Sequence, residues 1–266
     1  MSLGGWLTAL LRRVGAGQQT APAAVEPLPV LLPDKEKDHT ASAAFDAGKA
    51  AFRAKDYATA IDCFKTVIEL RHDDADAHNY LGLSHLEQGA HEDAADCFLL
   101  AIHYRPRFPQ AFYNMALAAH RRGDLAQAVT CLEQAISLKP DFAGAYSTLG
   151  YLLSHQLGDF ARGAEHIRTA LRLSPTDPDV LCNYGMVLTQ EGRPEEALTI
   201  CDQLLAAHPD MHEARLNRAL AALMLGRFAE AWPDYEARKF ARGNYVLRPY
   251  AFPRSEERRV GKECRL

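Results

Sequence analysis

Four asparagines give the first chemical signal in the chain. Asn114, Asn183 and Asn217 fall at one position of a recurring unit, with Asn79 one residue earlier in its own copy; Asp46 and Thr148 hold the position in the two remaining copies. A carboxamide both donates and accepts hydrogen bonds. A row of them can therefore pair with a polypeptide main chain whatever its sequence, or else cap turns and bond within the stack. The remaining reactive side chains point to less. Cys63, Cys97 and Cys131 are 34 residues apart and hold one repeat position. Neighbouring helices lie ~8–10 Å apart, a poor distance for disulfides, so these cysteines are read as small buried hydrophobes. No C-x-x-C pair exists among the six cysteines, which argues against zinc. His78 and His85 share a helix face at i, i+7, with His85 at a core position, while His208 and His212 flank a proline across a repeat boundary. Two ligands two turns apart are a weak metal signal. Neither a Ser/His/Asp or Cys/His arrangement nor a pair of acids stands in a recognisable context, so no catalytic, cofactor-binding or metal-ligating residue is assigned.

The unit that positions the asparagines is clearest over residues 109–142, PQAFYNMALAAHRRGDLAQAVTCLEQAISLKPDF. Shifted by 34 residues, 75–108 puts Gly89 on Gly123, Ala94 on Ala128, Ala101 on Ala135 and Pro106 on Pro140. A fixed period of this length marks a stacked-repeat architecture. Phe112, Met115, Ala116 and Ala119 at i, i+3, i+4, i+7 make the apolar stripe of a first helix. Gly123 ends it, and Asp124 is the candidate N-cap of a second. That helix carries Leu125, Ala128, Leu132, Ala135 and Ile136 on one side, and Pro140 marks its stop. Small residues at Ala116, Ala128 and Ala135 let the helices approach closely. One such hairpin cannot bury its apolar face alone, and stacked neighbours make the core continuous.

This pattern of small and aromatic residues, with proline near the end, closely resembles the tetratricopeptide repeat. The resemblance implies an all-α fold, a right-handed superhelical solenoid of about six helix-turn-helix repeats. The repeats are expected at 41–74, 75–108, 109–142, 143–177, 178–211 and 212–240. In the first, Gly48, Ala60 and Phe64 fit, but Lys55 replaces the turn glycine and His72 the proline. The fourth carries one extra residue, placed in the region Leu153–Leu157 and expected as a local bulge or longer turn, and Gly163 takes its small position. In the fifth, Pro194 stands at a plausible first helical position, with Glu195 and Glu196 where the helix dipole favours them. The sixth keeps Gly226, Phe228 and Ala231. Trp232-Pro233 then puts a proline inside the second helix, and Arg238 stands where alanine is usual. In the family, first helices line the concave side. The asparagines are similar there to the ladder in the repeats of O-linked N-acetylglucosamine transferases, with Tyr113, Tyr151, Lys49, Arg53 and Arg121 flanking the same groove. Core packing or plain solvation competes for each of these flanking residues. The Lys/Asn clamp of chaperone-binding repeats is absent, since Phe45 and Leu83 stand where it needs polar groups.

Composition fits a soluble protein: 266 residues, 48% hydrophobic, 24% charged, net charge −4. Nothing in that balance suggests nucleic-acid binding, and no apolar run approaches the ~20 residues that span a bilayer. The lack of a disulfide framework points to a reducing, cytoplasmic setting. Residues 1–40 are expected to be a disordered tail and linker. The short run Trp6–Leu11 precedes Arg12 and Arg13, the reverse of a secretory signal, and surface association through it is a minor alternative. Residues 241–253 show no helical period. Trp232, Asp234-Tyr235-Glu236, Arg238 and the run Arg248 to Pro253 resemble the junction in bacterial proteins where such repeats precede a glycosyltransferase-like domain. Residues 254–266 are similar to a translated sequencing-library adapter, matching from Arg254 to Arg265, and are set aside. The natural frame is then expected to be cut near Pro253. The expected function is a non-catalytic interaction module, without cofactor or metal, that holds a peptide or protein segment in the concave groove as the recognition arm of a larger protein. The alternatives are a fragment of an O-linked glycosyltransferase-like enzyme lacking its catalytic domain and a stand-alone assembly adaptor.

Overall fold

The computed structural model describes residues 34–239. The tail 1–33, the junction-like segment 241–253 and the adapter-like stretch 254–266 lie outside the described residues. All regular structure among the described residues is helical, in two compact units that divide between Pro140 and Asp141.

The first unit holds three hairpins: α1 (Asp34–Arg53) with α2 (Tyr57–Leu70), α3 (Ala75–Glu87) with α4 (His91–Tyr104), and α5 (Pro109–Arg121) with α6 (Leu125–Leu138). Each second helix packs on the first helix of the next hairpin, α2 on α3 and α4 on α5. The turns follow from local chemistry. Gly123 takes φ +81°, open to glycine because it has no Cβ, and the Asp124 carboxylate accepts from Gln127 N at 3.0 Å. Lys55 adopts the same left-handed turn at φ +61°, and Asp56 still caps α2 through Thr59 N at 3.2 Å. Close approach of the paired helices needs glycine on one side and an aromatic ring on the other. A Cβ at Gly82 would lie 2.6 Å from Phe98 Cε1, and one at Gly48 2.8 Å from Phe64 Cε1. Phe45, Phe64 and Tyr80 complete an aromatic cluster, Phe64 and Tyr80 stacked at 5.4 Å.

The first helix begins at Asp34 and not near residue 41, so residues 34–40 belong to the fold and not to the linker. The cause lies on α2's far end: Arg71 donates from Nη2 to the Asp38 carbonyl at 2.6 Å and from Nε to Asp38 Oδ1 at 3.0 Å. Ala41 is wholly buried.

The second unit holds α7 (Ala143–Tyr151) with α8 (Phe160–Leu173), α9 (Pro178–Gln190) with α10 (Pro194–Ala207), and α11 (His212–Met224) with α12 (Phe228–Tyr235). The extra residue of the fourth repeat is absorbed by a π-helical turn, Leu152–Gln156, continuous with α7. Leu157 N donates to Leu152 O at 3.1 Å, the i→i−5 bond of a π-bulge. The bulge carries Ser154 against α8, which explains Gly163: a Cβ there would fall inside the radius of Ser154 Oγ and 2.7 Å from the Gly150 carbonyl. Its counterparts Ala60, Ala94, Ala128, Ala197 and Ala231 are all fully buried. In the last repeat Pro233 stands inside α12, which gives way to a 3₁₀ turn, Glu236–Lys239.

Candidate interaction face of the repeats

The asparagines sit on first helices, and their amides are taken up within each unit. Asn114 Nδ2 donates to Asn79 Oδ1 at 2.9 Å, and Asn183 Nδ2 to Ser147 Oγ at 2.9 Å. Asn217 Nδ2 donates to the Cys182 carbonyl at 2.9 Å and reaches its Sγ at 3.3 Å. In each case the sixth residue of one repeat donates back to the fifth residue of the repeat before. Asn79, Asn114 and Asn217 are buried and Asn183 is partly buried. These donors therefore brace adjacent first helices, the within-stack use that the sequence left open, and the backward placement of Asn79 gives Asn114 its acceptor. Ser147 and Cys182 are partners the sequence reading missed. Their shared register was visible, but a serine and a cysteine beside an asparagine row carry no signal of their own.

The flanking residues are placed as follows. Lys49 is partly buried, with Nζ 3.0 Å from Asp46 Oδ1 and 4.9 Å from the centre of the Phe45 ring. Arg53 and Arg121 are exposed in the last turns of α1 and α5, where the helix dipole favours cations. Tyr113 is partly buried on α5. In the second unit Tyr151 ends α7 and lies 5.1 Å from the His155 ring. It packs against the cluster of Ala164, Ile167, Met186 and Val187, and burial raises its phenol pKa. Within the first unit the 34-residue register runs Lys49, Leu83, Leu117 along one row and Arg53, Glu87, Arg121 along the next. Leu83 and Leu117 are partly buried and Glu87 is exposed. Leu83 drew notice in the sequence only as an apolar residue where a clamp needs a polar one, and Leu117 drew none; their incomplete burial sets them apart.

Chemistry beyond contact finds little support in the geometry. His78 is buried, stacked on Tyr104 at 5.3 Å with its Nε2 2.9 Å from the His72 carbonyl, whereas His85 is only partly buried. Among the described residues no group of three His, Cys, Asp or Glu side chains is placed to share an ion. Cys97 and Cys131 are free and buried, and burial pushes each thiol up to about 12, which suppresses the thiolate. A cavity of about 350 Å³ is lined by Arg71 and Arg105 together with Asp73, Asp74 and Asp76. Arg105 there forks onto Asp76 at 3.0 and 2.5 Å. No described helix is long and apolar enough to cross a membrane.

The likeness to known proteins agrees with this geometry. Tetratricopeptide-repeat profiles match residues 45–112 and 154–223, and a TPR-repeat profile matches 118–158. Among solved structures, pilF of Pseudomonas aeruginosa aligns with TM-score 0.64 at 18% identity, covering 78% of this chain and 95% of its own. A thermophilic TPR protein of Thermus thermophilus aligns with TM-score 0.58 at 21% identity, covering 69% and 99%. YrrB, described as a TPR protein with an unusual peptide-binding site, aligns with TM-score 0.50 at 18% identity, covering 68% and 92%. At these identities the likeness is one of fold.

Proposed function

The chain belongs to the tetratricopeptide-repeat family, and on that premise we propose that it is a non-catalytic interaction module whose first helices hold a peptide or protein segment. The observation that supports this most is the double row on the first unit: the incompletely buried leucines Leu83 and Leu117, in line with Lys49, beside a charged line, Arg53, Glu87 and Arg121. An apolar strip with a polar rim is the anatomy of a surface that a partner covers. Tyr113 and Arg121 are of the types that anchor such contacts, and Tyr151 offers a like anchor on the second unit. Asn79, Asn114, Asn183 and Asn217 contribute by fixing the spacing of the helices that carry these residues. YrrB, of the same fold, is described by its peptide-binding site, which makes a peptide a reasonable occupant here.

The test is selection of a displayed random-peptide library on the purified chain, followed by affinity measurements on recovered peptides. Leu117→Asp and Arg121→Glu should each weaken binding about tenfold or more, the scale of an interface anchor, with the helical spectrum unchanged. Failure to enrich any peptide, or peptides indifferent to both substitutions, would remove this reading.

A further inference from the structure

Along the first helices of the first unit the exposed charge alternates in sign. Arg53, Glu87 and Arg121 hold one register position at the ends of α1, α3 and α5, and all three are exposed. Arg71 and Arg105, at the ends of second helices, are held by carboxylates: Arg71 donates to Asp38 at 3.0 Å, and Arg105 forks onto Asp76 at 3.0 and 2.5 Å. Arg53 and Arg121 have no carboxylate partner among the described residues. Glu87 there accepts only from the Tyr57 hydroxyl, at 3.4 Å. The three charges therefore face water without cancelling one another. Leu83 and Leu117 stand four residues before Glu87 and Arg121 and are partly buried. That spacing puts the leucine row beside the charged row, ~5–6 Å away on the same helix faces. Lys49, in line with the leucines, is turned to its own helix, with Nζ 3.0 Å from Asp46 Oδ1.

The interval between these charges selects the shape of what covers them. α1 packs on α3 and α3 on α5, and Asn114 braces the second pair through Asn79 at 2.9 Å. Packed helices lie ~8–10 Å apart axis to axis, so the charges repeat at about that interval. A polyproline II segment has three residues per turn and rises ~3.1 Å per residue, which brings every third side chain to one edge at ~9 Å. Residues three apart on a β-strand point to opposite faces. An α-helix returns to the same face near this interval only after about seven residues, and its ~10–12 Å diameter exceeds the width of the double row. On the premise that these helices hold a peptide segment, we infer that the occupant is a mixed-charge stretch, acid–x–x–base–x–x–acid, lying in polyproline II form across α1, α3 and α5. Its outer acids pair with Arg53 and Arg121 and its central base with Glu87, while apolar side chains on the adjoining edge cover Leu83 and Leu117. A uniformly acidic chain sets a like charge against Glu87, and a uniformly basic one does so against both arginines, so the alternation discriminates by repulsion as well as attraction.

Titration of the whole chain with two end-blocked peptides tests this: Glu-Pro-Leu-Lys-Pro-Leu-Glu and its charge-reversed counterpart Lys-Pro-Leu-Glu-Pro-Leu-Lys. The first should bind about tenfold more tightly than the second, from three exposed pairs gained and three like-charge contacts avoided. Arg53→Glu, Glu87→Arg and Arg121→Glu together, at exposed positions, should invert that preference, an outcome that loss of folding cannot imitate. Equal affinity of the two peptides, no binding of either, or a preference that the triple variant leaves in place would overturn the assignment. So would tighter binding of a helical peptide that carries the same charges seven residues apart. In each of these cases the interaction module itself still stands if the random library yields peptides sensitive to Leu117→Asp, whereas a library that yields none removes both.

Discussion

At five of the six second helices the register position of Gly163 is held by a fully buried alanine, yet at residue 163 even a methyl group is too large. The inserted residue in the first helix is the reason, because the π-bulge drives Ser154 toward α8. Gly163→Ala should therefore destabilise the fold by ~1–3 kcal/mol as an overpacking change, although alanine raises helix propensity. Urea unfolding measures this, and Ser154→Gly added to the variant should restore part of the loss. Equal stability of Gly163→Ala and the parent would mean that the bulge relaxes freely. The asparagines make a second residue-scale case. Removing the Asn114 amide leaves the buried Asn79 Oδ1 without this donor, so Asn114→Ala should cost ~1–3 kcal/mol. Asn183→Ala, at a partly buried site paired with a hydroxyl, should cost less. An unfolding series that reversed this order would count against the bracing role. The sequence exposed the asparagine row through its period but could not say what the amides face, because a donor aimed across a stack and one aimed at a ligand share the same spacing.

Helix boundaries were the most legible feature at the scale of elements. The turn glycines Gly89 and Gly123, both at positive φ, and the Asp124 cap stand in the turns of the second and third hairpins. What escaped was nonlocal. The start of α1 depends on Arg71 bonding to Asp38 and Ser42, a contact invisible to a reading of residues 34–40 by composition. A local bulge or a longer turn was expected in the fourth repeat, and its π-helical form depends on which carbonyl Leu157 N reaches. Lys55 offers an element-scale test. Its φ of +61° costs a side-chain-bearing residue roughly 1–2 kcal/mol, and glycine returns ~0.4–1 kcal/mol of that as unfolded-chain entropy. Lys55→Gly should then raise stability by about 0.5–1 kcal/mol from the balance of the two, seen as a higher thermal midpoint. A midpoint that fell would show that the lysine side chain contributes to the turn through contacts of its own.

For the whole molecule the histidines set a pH dependence. His78, His85, His120 and His155 all have pKa values lowered from the ordinary 6.5, in each case chiefly by burial. At His78 the His72 carbonyl and Asp74 oppose the shift without cancelling it. A histidine held neutral by the fold binds its proton more readily in the unfolded chain, so stability rises with pH in the interval between the two pKa values. The stabilisation is complete above about 6.5, the unfolded value, and is lost as pH falls from there toward the lower folded values. Thermal midpoints should thus be level between pH 7 and 8 and decline from about 6.5 to 5.5, above the range where most carboxylates titrate. The effect should be uneven, because His78, His85 and His120 belong to the first unit and only His155 to the second. Hydrogen exchange at pH 5.5 against pH 7.5, corrected for intrinsic rates, should show α3 and α5 losing more protection than α9 and α11. His78→Gln combined with His120→Gln should shrink that contrast. Equal losses in both units, or midpoints indifferent to pH over this interval, would mean that water reaches these rings in the folded protein and that their burial contributes little to its stability.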